Sequence, residues 1–185
     1  MGPPSHESDE QLAARLRADP GIQSFVAAAR EYCAWVAVSP SGELTEAHEA
    51  LRQLSLMHSA ALRLPPELPV ADCEAPDRRA DEVMFDAILK RFGCMPFGHY
   101  WMTYGPTSIE IKADVVVGDL RDNLAEVWRD LAEGLLHWDA GEPIEAVWTW
   151  GFGFRISWGR NCADALRALH WWFDADHDRW NLPGS

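Results

Sequence analysis

The stretch from Pro143 to Phe173, PIEAVWTWGFGFRISWGRNCADALRALHWWF, constrains the fold more than any other, because it holds five of the chain's ten tryptophans and no turn signal divides it. Its second half is amphipathic at helical spacing: Cys162, Ala165, Leu166, Leu169 and Trp172 or Phe173 recur at steps of three and four. Its first half reads two ways. Trp148, Trp150, Phe152, Phe154, Ile156 and Trp158 alternate with smaller or polar residues, as in a half-buried strand. Pro143, however, suits the first turn of a helix. On the helical reading one face carries Trp148, Phe152, Arg155, Gly159, Cys162, Leu166, Leu169 and Phe173, and a second carries Val147, Phe154, Trp158, Ala165 and Trp172. A helix apolar on two faces lies between other helices, and the rest of the chain supplies them. The helical reading is therefore preferred.

Ile22, Phe25, Val26, Ala29, Tyr32, Cys33 and Val36 predict one amphipathic helix, after a short one over Asp9 to Ala18 that Asp19-Pro20-Gly21 stops. A second long helix is expected from Glu43 to Leu64, ended by Pro65-Pro66, and a third from Asp77 to Phe92 with Gly93 as its cap. Residues 65–76 read as an extended loop. Residues 94–118 are the least regular: Ser108 to Ile111 and Val115 to Val117 could pair as a hairpin, but loops draped over a helical core are the favoured reading. Leu120, Leu124, Val127, Trp128, Leu131, Leu135 and Trp138 form the cleanest stripe, with Asp119 or Gly118 as N-cap. The short link Asp139 to Glu142 makes this helix antiparallel to the one after it. Counting outward from that link sets Leu135 near Trp148, Leu131 near Phe152, Trp128 near Arg155 and Leu124 near Gly159, so that Gly159 would admit a leucine-bearing helix. The expected architecture is a single all-α domain over 1–185, a bundle of five or six helices with a long C-terminal helical hairpin, an irregular region around 94–118, and disordered tails at 1–8 and 178–185.

Several function classes can be set aside. A formal charge of −13, with no compact run of Lys and Arg, repels phosphate backbones, so no nucleic-acid partner is expected. The chain shows no signal-peptide pattern and no run of eighteen apolar residues, so a cytoplasmic protein without membrane contact is expected. Cys33, Cys73, Cys94 and Cys162 form no CxxC pair and read as reduced, mostly buried thiols. There is no HExxH, Walker loop, GxSxG elbow, GxGxxG, or Glu followed three residues later by His. These absences lean against an enzyme, and no catalytic residue, cofactor or metal is assigned. His170, Asp174 and His177 would line one helical face with metal-like spacing, but they fall where a helix frays, and solvated side chains are the simpler expectation.

Two groups remain as candidate sites. Glu126, Asp130 and His137 lie on the helix before the link, and the register places Arg155 opposite them, either as a structural ion-pair network or as a guanidinium for an anionic ligand. Trp150, Trp171, Trp172 and Trp180 cannot all face inward if Trp148, Trp158 and Phe173 do, so they form a candidate exposed aromatic surface for an interaction.

FVAAAREYCAWV at 25–36, AALRLPP at 60–66, FDAILKRFG at 85–93 with YW at 100–101, VVGDLRDNLAEVWRDLAEGL at 116–135 and VWTWGFGFRISWGRNCADALRALH at 147–170 together resemble the bacterial family known as domain of unknown function 5063. The last two blocks are the specific ones. The resemblance implies a largely helical cytosolic protein with no established activity, and it carries over no site residues. The preferred function is a non-catalytic protein-interaction or adaptor domain, with an unidentified protein partner or itself as a homodimer. The alternative is a small-ligand binder or enzyme with a Trp-lined pocket containing Arg155, Asp130 and His137.

Overall fold

The computed structural model describes residues 7–66, 78–103 and 114–181. Among them are seven α-helices: α1 (Asp9–Ala18), α2 (Pro20–Ala37), α3 (Glu43–Ala61), α4 (Glu82–Arg91), α5 (Leu120–Asp139), α6 (Pro143–Ile156) and α7 (Trp158–Asp174). Short 3₁₀ turns occupy Phe92–Cys94 and His177–Trp180. Two strands, β1 (His99–Thr103) and β2 (Val115–Asp119), pair antiparallel. The chain is largely helical, as expected, but not purely so.

Local chemistry explains most of the helix ends. Ser8 closes a capping box with Gln11 at the start of α1. Asp19 accepts from the amides of Gly21 and Ile22, and Pro20 fills the first position of α2. Asp81 and Asp119 cap α4 and α5 in the same way. Between α5 and α6, Gly141 takes a φ of 92°, while its amide donates to the Trp138 carbonyl and that of Glu142 to the His137 carbonyl. This paired pattern is the Schellman motif, and it reverses the chain within two residues.

The expected long C-terminal helix bends. Ser157 leaves helical geometry (φ −133°, ψ −94°), so α6 and α7 meet at a corner one residue long. Gly159 belongs to this corner: a Cβ there would stand 2.1 Å from the Phe154 carbonyl oxygen of α6. Its role is therefore not to admit Leu124. The register of α5 against α6 also differs from the expected one. Gly134 faces Trp150, and a Cβ on Gly134 would fall 2.0 Å from the indole Nε1. That close approach lets Trp150 donate 3.1 Å to the Leu131 carbonyl, and Trp158 in turn donates 3.0 Å to the Trp150 carbonyl. The sequence offers no preferred face in α6 because it is apolar all round; contact with Gly134 selects one.

α5 lies at the centre, against α2, α4, α6 and α7, and α3 packs on α2 and α7. Tyr32 of α2 donates its hydroxyl to the Leu124 carbonyl at 2.9 Å, and Phe25 lies 5.0 Å from the Trp150 ring. A buried ion pair closes the end formed by α2, α3 and α4. Arg91 donates to Glu46 at 2.7 Å and stacks over Trp35 and Phe92 at 4.9 and 5.1 Å.

The region expected as draped loop contains the hairpin instead. Val115–Val117 is a strand, but its partner is His99–Thr103; Ser108 to Ile111 lies outside the described residues. Residues 178–181 are not a loose tail either. Trp180 packs 4.8 Å from Phe173, and His48 bonds the Arg179 carbonyl at 2.7 Å.

Candidate functional site: an aromatic groove between the hairpin and α7

The polar group expected on α5 does not converge. Glu126 pairs with Arg129, and burial pushes its carboxyl above the usual range. Asp130 is also pushed up by burial, against the opposing pull of bonds from the Ser157 side chain and the Trp158 amide. Its Oδ2 is buried with no hydrogen-bond partner among the described residues. His137 stands two turns further along, about 10 Å down the axis, where its Nδ1 lies 2.8 Å from Glu142. Glu142 is gripped by both arms of Arg78, at 2.6 and 2.8 Å, which holds its carboxyl at about 2. Arg155 is on none of these. It donates to the Pro66 carbonyl at 2.5 Å and borders a shallow depression with Leu62, Leu64 and Gly151. The pocket envisaged around Arg155, Asp130 and His137 is not formed.

The tryptophans divide differently from expectation. Trp150 is fully buried and belongs to the core. Trp172 is half-buried beneath Arg179, whose guanidinium lies 4.3 Å from its ring, and Trp180 covers Phe173. Of the four named, Trp171 alone stands well clear, 65% exposed. Its counterpart was not singled out from the sequence: Trp101 on β1, 71% exposed. The strand register explains it. Trp101 is paired with Val117, and His99, Thr103 and Val115 share that outward face, whereas Tyr100 points inward across Gly118. An alternation of His99, Trp101 and Thr103 was the available signal.

Trp101 and Trp171 line one groove of about 340 Å³, with Tyr100, Asp164, Arg167 and Ala168. Asp164, Arg167, Ala168 and Trp171 are spaced along one face of α7. Tyr100 accepts a hydrogen bond from Asn123, and burial, with Asp164 adding to it, pushes its hydroxyl up to about 12. Asp164 is half-buried, and lost hydration pushes its carboxyl up while Arg167 and Arg160 pull it down. Among the described residues no hydrogen bond or ion pair closes on Asp164, and neither exposed indole has a ring or hydrogen-bond partner.

Other chemistry is sparse. Burial pushes the Cys33 and Cys162 thiols up to about 12, so neither is a nucleophile near neutrality. Among the described residues no three His, Cys, Asp or Glu side chains converge as metal ligands. His170 lies 5.6 Å edge-on to Trp180, and Asp174 is exposed. No helix among the described residues is long and apolar enough to cross a membrane.

Residues 17–173, from the end of α1 to the end of α7, match the family described as domain of unknown function 5063. The chain belongs to that family. A crystal structure of protein BF1032 from Bacteroides fragilis has the same fold, with a TM-score of 0.67 at 19% identity, over 84% of this chain and 96% of that one. No curated protein matches the sequence. As a domain of unknown function 5063 member the chain inherits a fold, and its groove must be argued from its own groups. Those groups are two indole faces, a phenol, one carboxyl and one guanidinium, a set that binds through stacking and charge.

Proposed function

We propose that this protein is a non-catalytic interaction domain whose docking surface is the groove between the β-hairpin and α7. One observation carries the reading: Trp101 and Trp171 flank the same groove with indoles that have no ring or hydrogen-bond partner among the described residues, in a chain whose indoles at Trp35, Trp150 and Trp158 donate to protein acceptors. Exposed aromatic residues around a concave surface are the anchors from which protein interfaces are built. Among the described residues the groove contains no serine, threonine, cysteine, lysine or histidine, and a tyrosine hydroxyl at about 12 with one half-buried carboxyl is not a matched acid–base pair for neutral pH.

The test is photo-crosslinking in cells that make the protein, with a photoreactive residue at position 167 or 171. A discrete protein adduct that disappears with Trp101→Ala supports docking at the groove. Absence of any adduct from both positions, with the protein folded, rejects it. Sedimentation of the purified chain separates a foreign partner from self-association, since an adduct of twice the chain mass together with a dimer that Trp101→Ala dissociates identifies the partner as a second copy.

A further inference from the structure

We propose that the groove recognises an arginine side chain presented by a partner protein, its guanidinium held between Trp101 and Trp171 and its charge met by Asp164. The inference rests on the docking reading above and specifies its chemistry.

Three observations carry it. The first is an internal template. Where α2, α3 and α4 meet, Arg91 lies over Trp35 and Phe92, at 4.9 and 5.1 Å, and donates to Glu46 at 2.7 Å. The groove presents the same kinds of group, aromatic faces beside a carboxylate, toward solvent. The chain repeatedly pairs guanidinium with indole, for Arg17 over Trp138 and Arg179 over Trp172 as well. Trp101 and Trp171 are the well-exposed indoles with neither arrangement.

The second observation is charge. Asp164 is half-buried beside the indoles; the charges of Arg167 and Arg160 act on it, but among the described residues no hydrogen bond or salt bridge closes on its oxygens, so they can accept a fork of N–H donors. The chain as a whole carries −13, which draws cationic partners toward it. The third is shape. The groove brings indoles from two elements, β1 and α7, beside one carboxyl, which suits a flat guanidinium that stacks on an aromatic face and forks onto a carboxylate better than a compact ammonium. Arg167, exposed at the rim, opposes a second cation and limits the affinity.

The experiment uses the full chain with ¹⁵N-labelled tryptophan, the indole N–H signals of residues 101 and 171 being assigned from Trp101→Phe and Trp171→Phe. It is titrated with arginine blocked at both backbone termini, and in parallel with blocked citrulline, the uncharged isostere, and blocked lysine. Both signals should shift with blocked arginine, at least severalfold more weakly with lysine, and not with citrulline. Asp164→Asn should weaken arginine binding about tenfold, Arg167→Gln should tighten it severalfold, and added salt should weaken it. Equal shifts with citrulline, or unchanged binding in Asp164→Asn, would overturn the proposal, as would shifts at other indoles only. The cross-linking result is read separately. A partner adduct without an arginine response removes the guanidinium chemistry and keeps docking; an arginine response without any adduct removes the protein partner and leaves a binder of free guanidinium compounds.

Discussion

Trp150 and Trp158 sit at 0% exposure and Trp101 and Trp171 at 71% and 65%, yet all four are indoles on regular elements of the same chain. The difference lies in their surroundings. The inner pair sits where a glycine or a helix corner clears a path to a backbone carbonyl, so each ring is buried with its N–H satisfied. The outer pair has no acceptor among the described residues, and a strand register and a helix face direct it to solvent. Identical side chains thus divide into stability and recognition according to whether the backbone nearby can accept a hydrogen bond.

The largest expected effect attacks the inner pair. Trp150→Ala should cost about 3–5 kcal/mol, and Gly134→Ala, which places a methyl where the Trp150 indole lies, about 3 kcal/mol, the upper end of the usual cost of overpacking. Urea unfolding would measure both, and a Gly134→Ala variant as stable as the wild type would contradict the α5–α6 register. Next comes the buried template of the proposed site. Glu46→Ala should cost about 3 kcal/mol or more by stranding Arg91, whose side chain is only 9% exposed. Replacing both partners by apolar residues should recover much of that loss.

A smaller contrast concerns pH. The grip of Arg78 lowers the Glu142 carboxyl to about 2, so its contribution is complete above the ordinary glutamate range and fades as the pH falls toward 2. Glu142→Gln should flatten that part of the stability profile. Asp130 has the opposite sign. Burial raises its carboxyl, so its contribution is greatest in acid and is lost as the pH rises from the ordinary aspartate value through the raised one. Asp130→Asn should therefore gain on the wild type as the pH rises through that window, as thermal melts would show. The smallest expected effect sharpens the comparison most: Trp101→Ala and Trp171→Ala should each change stability by less than about 0.5 kcal/mol. A loss of several kcal/mol at either would make it a core residue and remove it from the groove.

The order of helices and most of their ends were legible because Asp19, Asp119, Pro20 and Pro143 act on their immediate neighbours. The inward face of α7 was legible from its apolar spacing, and Phe173 and Cys162 lie on it. What failed was long-range pairing. With apolar residues on every side of α6, counting from the turn missed the true contact and left Trp150 assigned to the surface. Arg78 reaches Glu142 across 64 positions, and no local pattern announces such a partner. Arg155 was expected to face α5 from the same count outward from the turn; with Trp150 as the residue that meets α5, the Arg155 side chain reaches the Pro66 carbonyl instead. The groove itself was half visible: Trp171 was singled out, while Trp101 lay in a strand hidden within a region read as loop.

The one-residue corner at Ser157 gives the molecule an exact phase relation. α6 is locked by Trp150 into α5, and α7 departs from it with no slack segment to absorb a change. One residue inserted in the first turn of α7, with the corner held, would rotate the rest of that helix by about 100° about its own axis, turning Asp164 and Trp171 away from the hairpin while leaving every side chain of the groove chemically intact. Chain length at that point is thus itself a determinant of what the surface can hold.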